Sequence, residues 1–304
     1  MDFKTVLKNK KNGDRTFAIL LMLPALTIIT IFIFIPIAKS VFLSFTDYKL
    51  ANIASGVGHL WNNFSNYKAI FTEGDLWPAI RVTFTFMSMV VMLQLFLGLI
   101  LSVVLNGSIK GKRFLRSIIM LPWVIPTVIT ALLWMWLFQP QYGVVNYLLL
   151  EANIISQPIA MLARPALALP SVAIAALWKQ IPLMTLMLLA GLQTIPSEMY
   201  EAATIDGCNG IQLFFHITIP FLRNVIRTTV LMSIIENFKQ FPLFWTMTGG
   251  GPMNSTTTLA ILSYRNAFVN MNFGKGAAVA TVWLCLLLVV AFVYNKVFTV
   301  NEME

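Results

Sequence analysis

Apolar residues in this chain come in long unbroken runs, not in the period-two or one-in-three-or-four patterns of half-buried strands and surface helices. A bilayer core of about 30 Å takes about 20 apolar helical residues to cross. Six stretches reach that length: 17–37, 83–105, 115–138, 168–191, 222–245 and 276–298. The fifth is interrupted by Glu236, Lys239 and Gln240. The first follows Lys4, Lys8, Lys10, Lys11 and Arg15 as a signal peptide would, but its run is longer than an h-region and no small-residue cleavage site follows it. The pattern predicts an all-α polytopic membrane protein with six transmembrane helices. A tail over 1–16, one membrane domain over 17–298 and a second short tail over 299–304 complete the expected plan.

Composition narrows the class. Of 304 residues, 58% are hydrophobic and 11% charged, against about 45–50% and about 25% in soluble domains. So few charges do not cover a water-soluble body of this size, which excludes a soluble enzyme, a disordered regulator and a secreted disulfide scaffold. The net charge of +9 would suggest nucleic acid in a soluble protein; in a membrane protein it reports basic loops facing anionic lipid. With the N-terminus inside, 12 Lys and Arg fall on the inner side and 7 on the outer, with Lys179 and Lys239 inside spans. The bias predicts both termini in the cytoplasm, with 38–82, 139–167 and 246–275 outside and 106–114 and 192–221 inside. Cys208 and Cys285 make no CxxC pair and no disulfide framework.

No catalytic constellation is legible. Gly274-Lys275-Gly276 lacks the spacing and the Ser or Thr of a phosphate-binding loop. His59 and His216 stand far apart, without companions at metal-ligand spacing. The sequence therefore predicts no catalytic residue, no metal site and no ATP hydrolysis by this chain.

Two segments carry chemistry instead. In the inner segment, Ser197 can N-cap a helix with Glu198 and Glu201 in its first turns, and Gly207 ends it. A second amphipathic piece with Phe214, Phe215 and Ile217 runs to Pro220. This reads as a short helix across the membrane face, offering small residues and acids to a partner. The alternative, a helix resting on lipid headgroups, sets Glu198, Glu201 and Asp206 against anionic lipid. The other segment is inside the membrane, where an ionisable residue costs about 2.5–3.5 kcal/mol on insertion scales and so asks for a reason. Lys179 and Gln180 precede Pro182 in the fourth span; Ser233, Asn237 and Gln240 share one face of the fifth, with Glu236 beside them. Such a stripe faces a cavity or a protein partner, and with Trp178 or Trp245 it suits a sugar. The structural alternative pairs Glu236 with Lys239 along the helix and spends the rest on helix packing.

Glu201-Ala202-Ala203, Asp206-Gly207, Gln212, Phe214, Ile217 and Ile219-Pro220 resemble the EAA loop of binding-protein-dependent ABC importer permeases. The stretch 195–220 resembles the sugar branch, which includes maltose and glycerol-3-phosphate permeases. Thr248-Gly249-Gly250-Gly251-Pro252 with Ser255 and Thr256, and Phe273-Gly274 with Ala277, Ala278 and Ala280, agree with that branch. Ile219 departs conservatively from the usual Leu. The resemblance extends from about residue 17 to 298.

It implies a MetI-like fold and a half-transporter in a bacterial cell membrane, importing a sugar (an oligosaccharide) by alternating access. Glu201, Ala202, Ala203, Asp206 and Gly207 would couple it to a cytoplasmic ATPase present in two copies. A second homologous permease would complete the pore, and an extracytoplasmic solute-binding protein would deliver the sugar. The chain itself would need no cofactor, ATP and Mg²⁺ being the partner's, and no nucleic acid. Matched by distance from Glu201, the maltose permease's sugar contacts fall on Gln180, Leu183, Ser233, Glu236, Asn237 and Gln240, and differing side chains at several imply a different sugar. Lys179 and Lys239 leave an acidic sugar open, and a polyol or glycerol phosphate stays open too. An ion-coupled secondary transporter using Glu236 and Lys239 would show inverted repeats; none is visible.

Overall fold

The computed structural model describes residues 17, 19–56, 60–107 and 110–300. The basic tail 1–16, His59 and residues 301–304 lie outside them. Helix α1 (Ile19–Ser44) contains a π turn at Thr30–Phe34. Two short helices follow, α2 (Leu50–Ala54) and α3 (Ser65–Thr72), then α4 (Leu76–Asn106). Next come α5 (Lys112–Val124), α6 (Thr127–Leu137), α7 (Val144–Glu151) and α8 (Pro165–Leu192). The connection from α8 to α10 carries α9 (Ser197–Ile205). Helix α10 (Gly210–Phe238) has a π turn at Phe214–Thr218. Then α11 (Pro242–Met247), α12 (Leu259–Tyr264) and α13 (Phe273–Val300) complete the chain. Among the described residues there is no strand, only two isolated bridges, Thr46 with Trp61 and Lys49 with Asn272.

Five helices, α1, α4, α8, α10 and α13, are long and apolar enough to cross a membrane, and the pair α5–α6 makes a sixth if it counts as one span. That pair departs from the straight third span the sequence suggested, because its two halves meet at 95°. Pro126 explains the corner. It has no N–H for the helical ladder, and its ring drives Ile125 into extended backbone, ψ 131°, with Pro126 itself at ψ 139°. The fifth span also differs from 222–245. It stops at Phe238, where Pro242 has no N–H to return to the Phe238 carbonyl. It starts as early as Gly210 because Asn209 and Gln212 form a capping box: the Gln212 N–H donates to Asn209 Oδ1 at 2.9 Å, and the Asn209 N–H to Gln212 Oε1 at 2.8 Å.

The most extensive helix contact joins α4 to α8. A core of Phe86, Val90, Ala131, Val172, Ala176, Phe244 and Ile261 fills the space among α4, α6, α8, α11 and α12. Helix α13 is tied to α10 at two levels. Trp283 Nε1 donates to the Phe238 carbonyl at 3.2 Å, and the Tyr294 hydroxyl to the Arg227 carbonyl at 3.0 Å. Residues 19–39 of α1 are exposed, and the stretch Ile35–Ser44 packs on α13. The glycine-rich loop 248–252 is held by Arg265, which donates to the Gly249 carbonyl at 2.6 Å and to Asn254 Oδ1 at 2.7 Å. Thr257 donates to the Gly250 carbonyl at 2.9 Å. Gly250 has φ +92°, and a Cβ there would stand 2.7 Å from Thr257 Oγ1, so both backbone and space require glycine.

Candidate functional site

The polar residues of the fourth and fifth spans meet where α8 and α10 face each other, and a residue of α4 joins them. Ser233 donates to Gln94 Oε1 at 2.7 Å, and Gln94 Nε2 donates to the Gln180 backbone carbonyl at 3.2 Å. Gln180 and Asn237 form a reciprocal amide pair, Nε2 to Oδ1 at 3.1 Å and Nδ2 to Oε1 at 2.9 Å. Asn237 also donates to the Ser233 carbonyl at 2.9 Å. All four side chains are buried. Every amide here has partners, so the cluster bolts α4, α8 and α10 together without the cost of unpaired polar groups in an apolar surround. Gln94 is the member that the sequence reading passed over. A lone amide in the middle of α4 was the signal that could have found it.

Beside this network lies a cavity of about 320 Å³, at the lower end of the size of small-molecule pockets. Gln180, Leu183, Ser233, Glu236, Gln240 and Lys179 line it, joined by Gln94, Trp123 and Thr127. Of the residues matched to sugar contacts, Asn237 is the one not on its wall. Its side chain is spent on the network. Glu236 pairs with Lys239 three residues on at 3.1 Å, and both side chains are half exposed. The aromatic faces expected nearby are elsewhere: Trp178 packs edge-on to Trp134, and Trp245 stacks with Phe241 and Tyr264. Trp123 is the aromatic residue on the cavity wall.

Lys179 is the largest departure. Its ammonium donates to the Trp123 carbonyl at 3.3 Å and to the Ile125 carbonyl, at the corner between α5 and α6.

Between α8 and α10, α9 differs in detail from its predicted start. Pro196 occupies the capping position, and Ser197 is the first helical residue and makes no side-chain cap. Its end follows the expectation from Gly207. That glycine has φ +86°, its N–H bonds the Thr204 carbonyl at 3.0 Å, and the Cys208 N–H reaches the Ala203 carbonyl at 2.9 Å, the Schellman closure of a helix. Glu201, Ala202, Asp206 and Gly207 are exposed; Ala203 is half-buried against Leu192, Ile195, Ile217 and Leu222. Ile205 and Ile211, 86% and 72% exposed, flank the acids with apolar surface. The Tyr200 hydroxyl bonds Thr218 Oγ1 at 3.0 Å, linking α9 to the π turn of α10. His216 sits on that turn, exposed, its Nδ1 3.0 Å from the Gln212 carbonyl. Among the described residues, no three His, Cys, Asp or Glu side chains gather as a metal site.

A cavity with polar side chains on its wall, set among long apolar helices and linked through α8 and α10 to the exposed helix α9, suits a membrane-embedded transport subunit. Residues 94–298 match the family described as the binding-protein-dependent transport system inner membrane component. The chain is 34% identical over 288 residues to the trehalose/maltose transport system permease protein MalF of Thermococcus litoralis, covering 94% of this chain and 95% of that one. It is 34% identical over 290 residues to the sulfoquinovosyl glycerol transport system permease protein SmoG of Agrobacterium fabrum, covering 95% and 92%. A solved bacterial ABC transporter involved in import of the acidic polysaccharide alginate superposes with a TM-score of 0.80 at 20% identity, over 97% of this chain and 98% of that one, and so shares the fold. The chain belongs to the binding-protein-dependent transport inner membrane component family and is an ABC importer permease, a transport subunit with the MetI-like fold.

Proposed function

We propose that this permease imports a neutral oligosaccharide or a related hydroxyl-rich sugar. The observation that carries this reading is the cavity between α8 and α10. It offers the Gln240 amide and the Glu236 carboxylate beside the Trp123 ring, a donor, acceptor and apolar set suited to sugar hydroxyls and ring faces. The two intramembrane cations that favoured an acidic sugar are engaged, Lys179 by backbone carbonyls and Lys239 by Glu236. The relatives named for trehalose/maltose and sulfoquinovosyl glycerol lend support to a sugar. Gln180, Ser233 and Asn237 serve the site by fixing its walls; Leu183, Glu236 and Gln240 meet the solute.

In this reading the single unit 17–298 lies in the cell membrane with both termini cytoplasmic. The segment 195–220 docks α9 on a partner ATPase through Glu201, Ala202, Asp206 and Gly207, while Ala203 seats α9 on its own chain. The pore is completed by a second homologous permease, a solute-binding protein delivers sugar from outside, and ATP with Mg²⁺ is bound and consumed by two ATPase subunits. ATPase closure, passed through α9, alternates the cavity between the two sides. This chain supplies binding and motion and holds no cofactor.

The test is uptake by proteoliposomes holding the assembled transporter, with labelled neutral and acidic oligosaccharides offered on the binding protein. ATP-dependent uptake of a neutral sugar, with an acidic one refused, is the expected result. Uptake that follows a proton or sodium gradient without ATP would overturn the coupling reading, and preference for the acidic sugar would overturn the assignment of the cations.

A further inference from the structure

We infer that Lys179 is a positioning residue, a cationic clamp that holds the corner of the bent α5–α6 span and thereby sets the Trp123 wall of the sugar cavity. The inference rests on reading that cavity as the solute site. Proline chemistry creates the need. Pro126 has no N–H for the Pro122 carbonyl, and the 95° corner takes the carbonyls of Trp123 to Ile125 away from the N–H groups of α6 that would have bonded them in a straight helix. Carbonyls freed in this way inside a membrane must find donors in neighbouring helices, side chains or water.

Lys179, near the middle of the facing helix α8, supplies them. Its one ammonium group bonds the carbonyls of Trp123 and Ile125, on either side of Val124, the last residue of α5. The carbonyl end of a helix also carries partial negative charge, so a cation is favoured there over a neutral amide donor. The same three residues that meet at this corner, Trp123, Thr127 and Lys179, form one side of the cavity. Gln94, Gln180 and Ser233 also line it and are held separately by their network with Asn237. Part of the lining is therefore fixed by side-chain hydrogen bonds and part by a single charge. Lys179 is spent on the backbone and contributes to affinity by placing Trp123, not by pairing with a solute anion.

The experiment compares Lys179→Met, which keeps length and removes the charge, with Lys179→Arg, which keeps the charge and the donors. Both are made in the assembled transporter, with Cys208 and Cys285 replaced by Ser and spin labels at Ser117→Cys and Leu133→Cys, exposed positions on α5 and α6. The expected result is a shifted and broadened label distance in Lys179→Met, with the sugar concentration for half-maximal ATP-driven uptake raised at least about tenfold and the maximal rate changed much less. Lys179→Arg returns both measures to within about threefold of the parent, by supplying charge and donors at the same place. An unchanged label distance in Lys179→Met overturns the clamp. A shifted distance with unchanged half-saturation overturns its service to the cavity. A Gln240→Ala control separates that failure from a misassigned cavity: weakened uptake in Gln240→Ala leaves the sugar site standing, and silence in both removes it. Failure confined to acidic sugars in Lys179→Met, with neutral sugars unaffected, also overturns the inference, since it makes Lys179 a direct anion contact.

Discussion

The Gln180–Asn237 pair exchanges two hydrogen bonds while both side chains are buried. Removing one partner strands the other's amide, at about 1–3 kcal/mol, whereas removing both leaves apolar surfaces in contact. Asn237→Leu or Gln180→Leu alone is expected to lower the midpoint of thermal unfolding in detergent clearly, and the double variant less than the two effects added. Strict additivity would show that the pair is not a unit. Gly250→Ala is expected to weaken the outer loop by about 1–3 kcal/mol, the range for a non-glycine residue forced into positive φ. Faster proteolysis of the 248–257 segment would report it. At this scale the sequence reading identified Gln180, Ser233 and Asn237 but not Gln94, and missed their pairing. Offsets of four and three along one helix place Ser233, Asn237 and Gln240 on one face, but the partner of that face is a residue 139 positions away in one bond and 57 in another. No local pattern encodes such a distance. Sequence alone therefore does not reveal that Ser233 and Asn237 bond Gln94 and Gln180.

The elements divide by the kind of signal that ends them. Prolines were visible, yet Pro122 and Pro126 sit in a run apolar enough to read as one span, and hydropathy carries no angle; the corner became evident only in three dimensions. Gly207 announced the end of α9 because a left-handed closure needs glycine there. The Asn209–Gln212 capping box was equally legible, and it went unread because the eye followed apolar runs. Helix α9 also sorts its small residues. Ala202 is exposed, whereas Ala203 packs on Leu192, Ile195, Ile217 and Leu222. Ala202→Asp is therefore the cleaner probe of docking. It is expected to abolish ATP-driven uptake and co-purification of the ATPase while leaving the unfolding midpoint within about 0.5 kcal/mol of the parent, as for surface substitutions. Ala203→Asp is expected to lower both, because its charge enters a packed apolar site. Retained uptake in Ala202→Asp would remove α9 from the coupling surface.

For the molecule as a whole, composition and run length were enough for the class and for five of the six spans, because the bilayer imposes a fixed length on every crossing; the bent pair α5–α6 is the sixth if it counts as one. Sidedness rests on the bias of basic residues and has a direct test in the two cysteines. Cys208 lies in the connection between α9 and α10, half-buried, which the bias places inside, and Cys285 lies along α13, exposed. In spheroplasts with the outer face accessible, a membrane-impermeant maleimide is expected to leave Cys208 unlabelled until the membrane is opened. Cys285 stays slow throughout, since lipid chains along α13 keep a water-soluble reagent from it. Prompt labelling of Cys208 in intact spheroplasts would invert the topology.

The Tyr200–Thr218 bond gains its meaning from what stands above it. From Thr218 to Ser233, α10 is an unbroken rod of about 22 Å at 1.5 Å per residue, strapped to α13 by Trp283 and Tyr294 and to α8 by Asn237. Such a rod is a lever with its fulcrum at the π turn. A tilt of about 10° imposed through α9 carries the far end by about 4 Å, more than the width of a water molecule. In the proposed coupling, a small push through α9 thus becomes, with α4 and α8 carried along by their hydrogen bonds to α10, a displacement large enough to admit or expel the solvent around a bound solute.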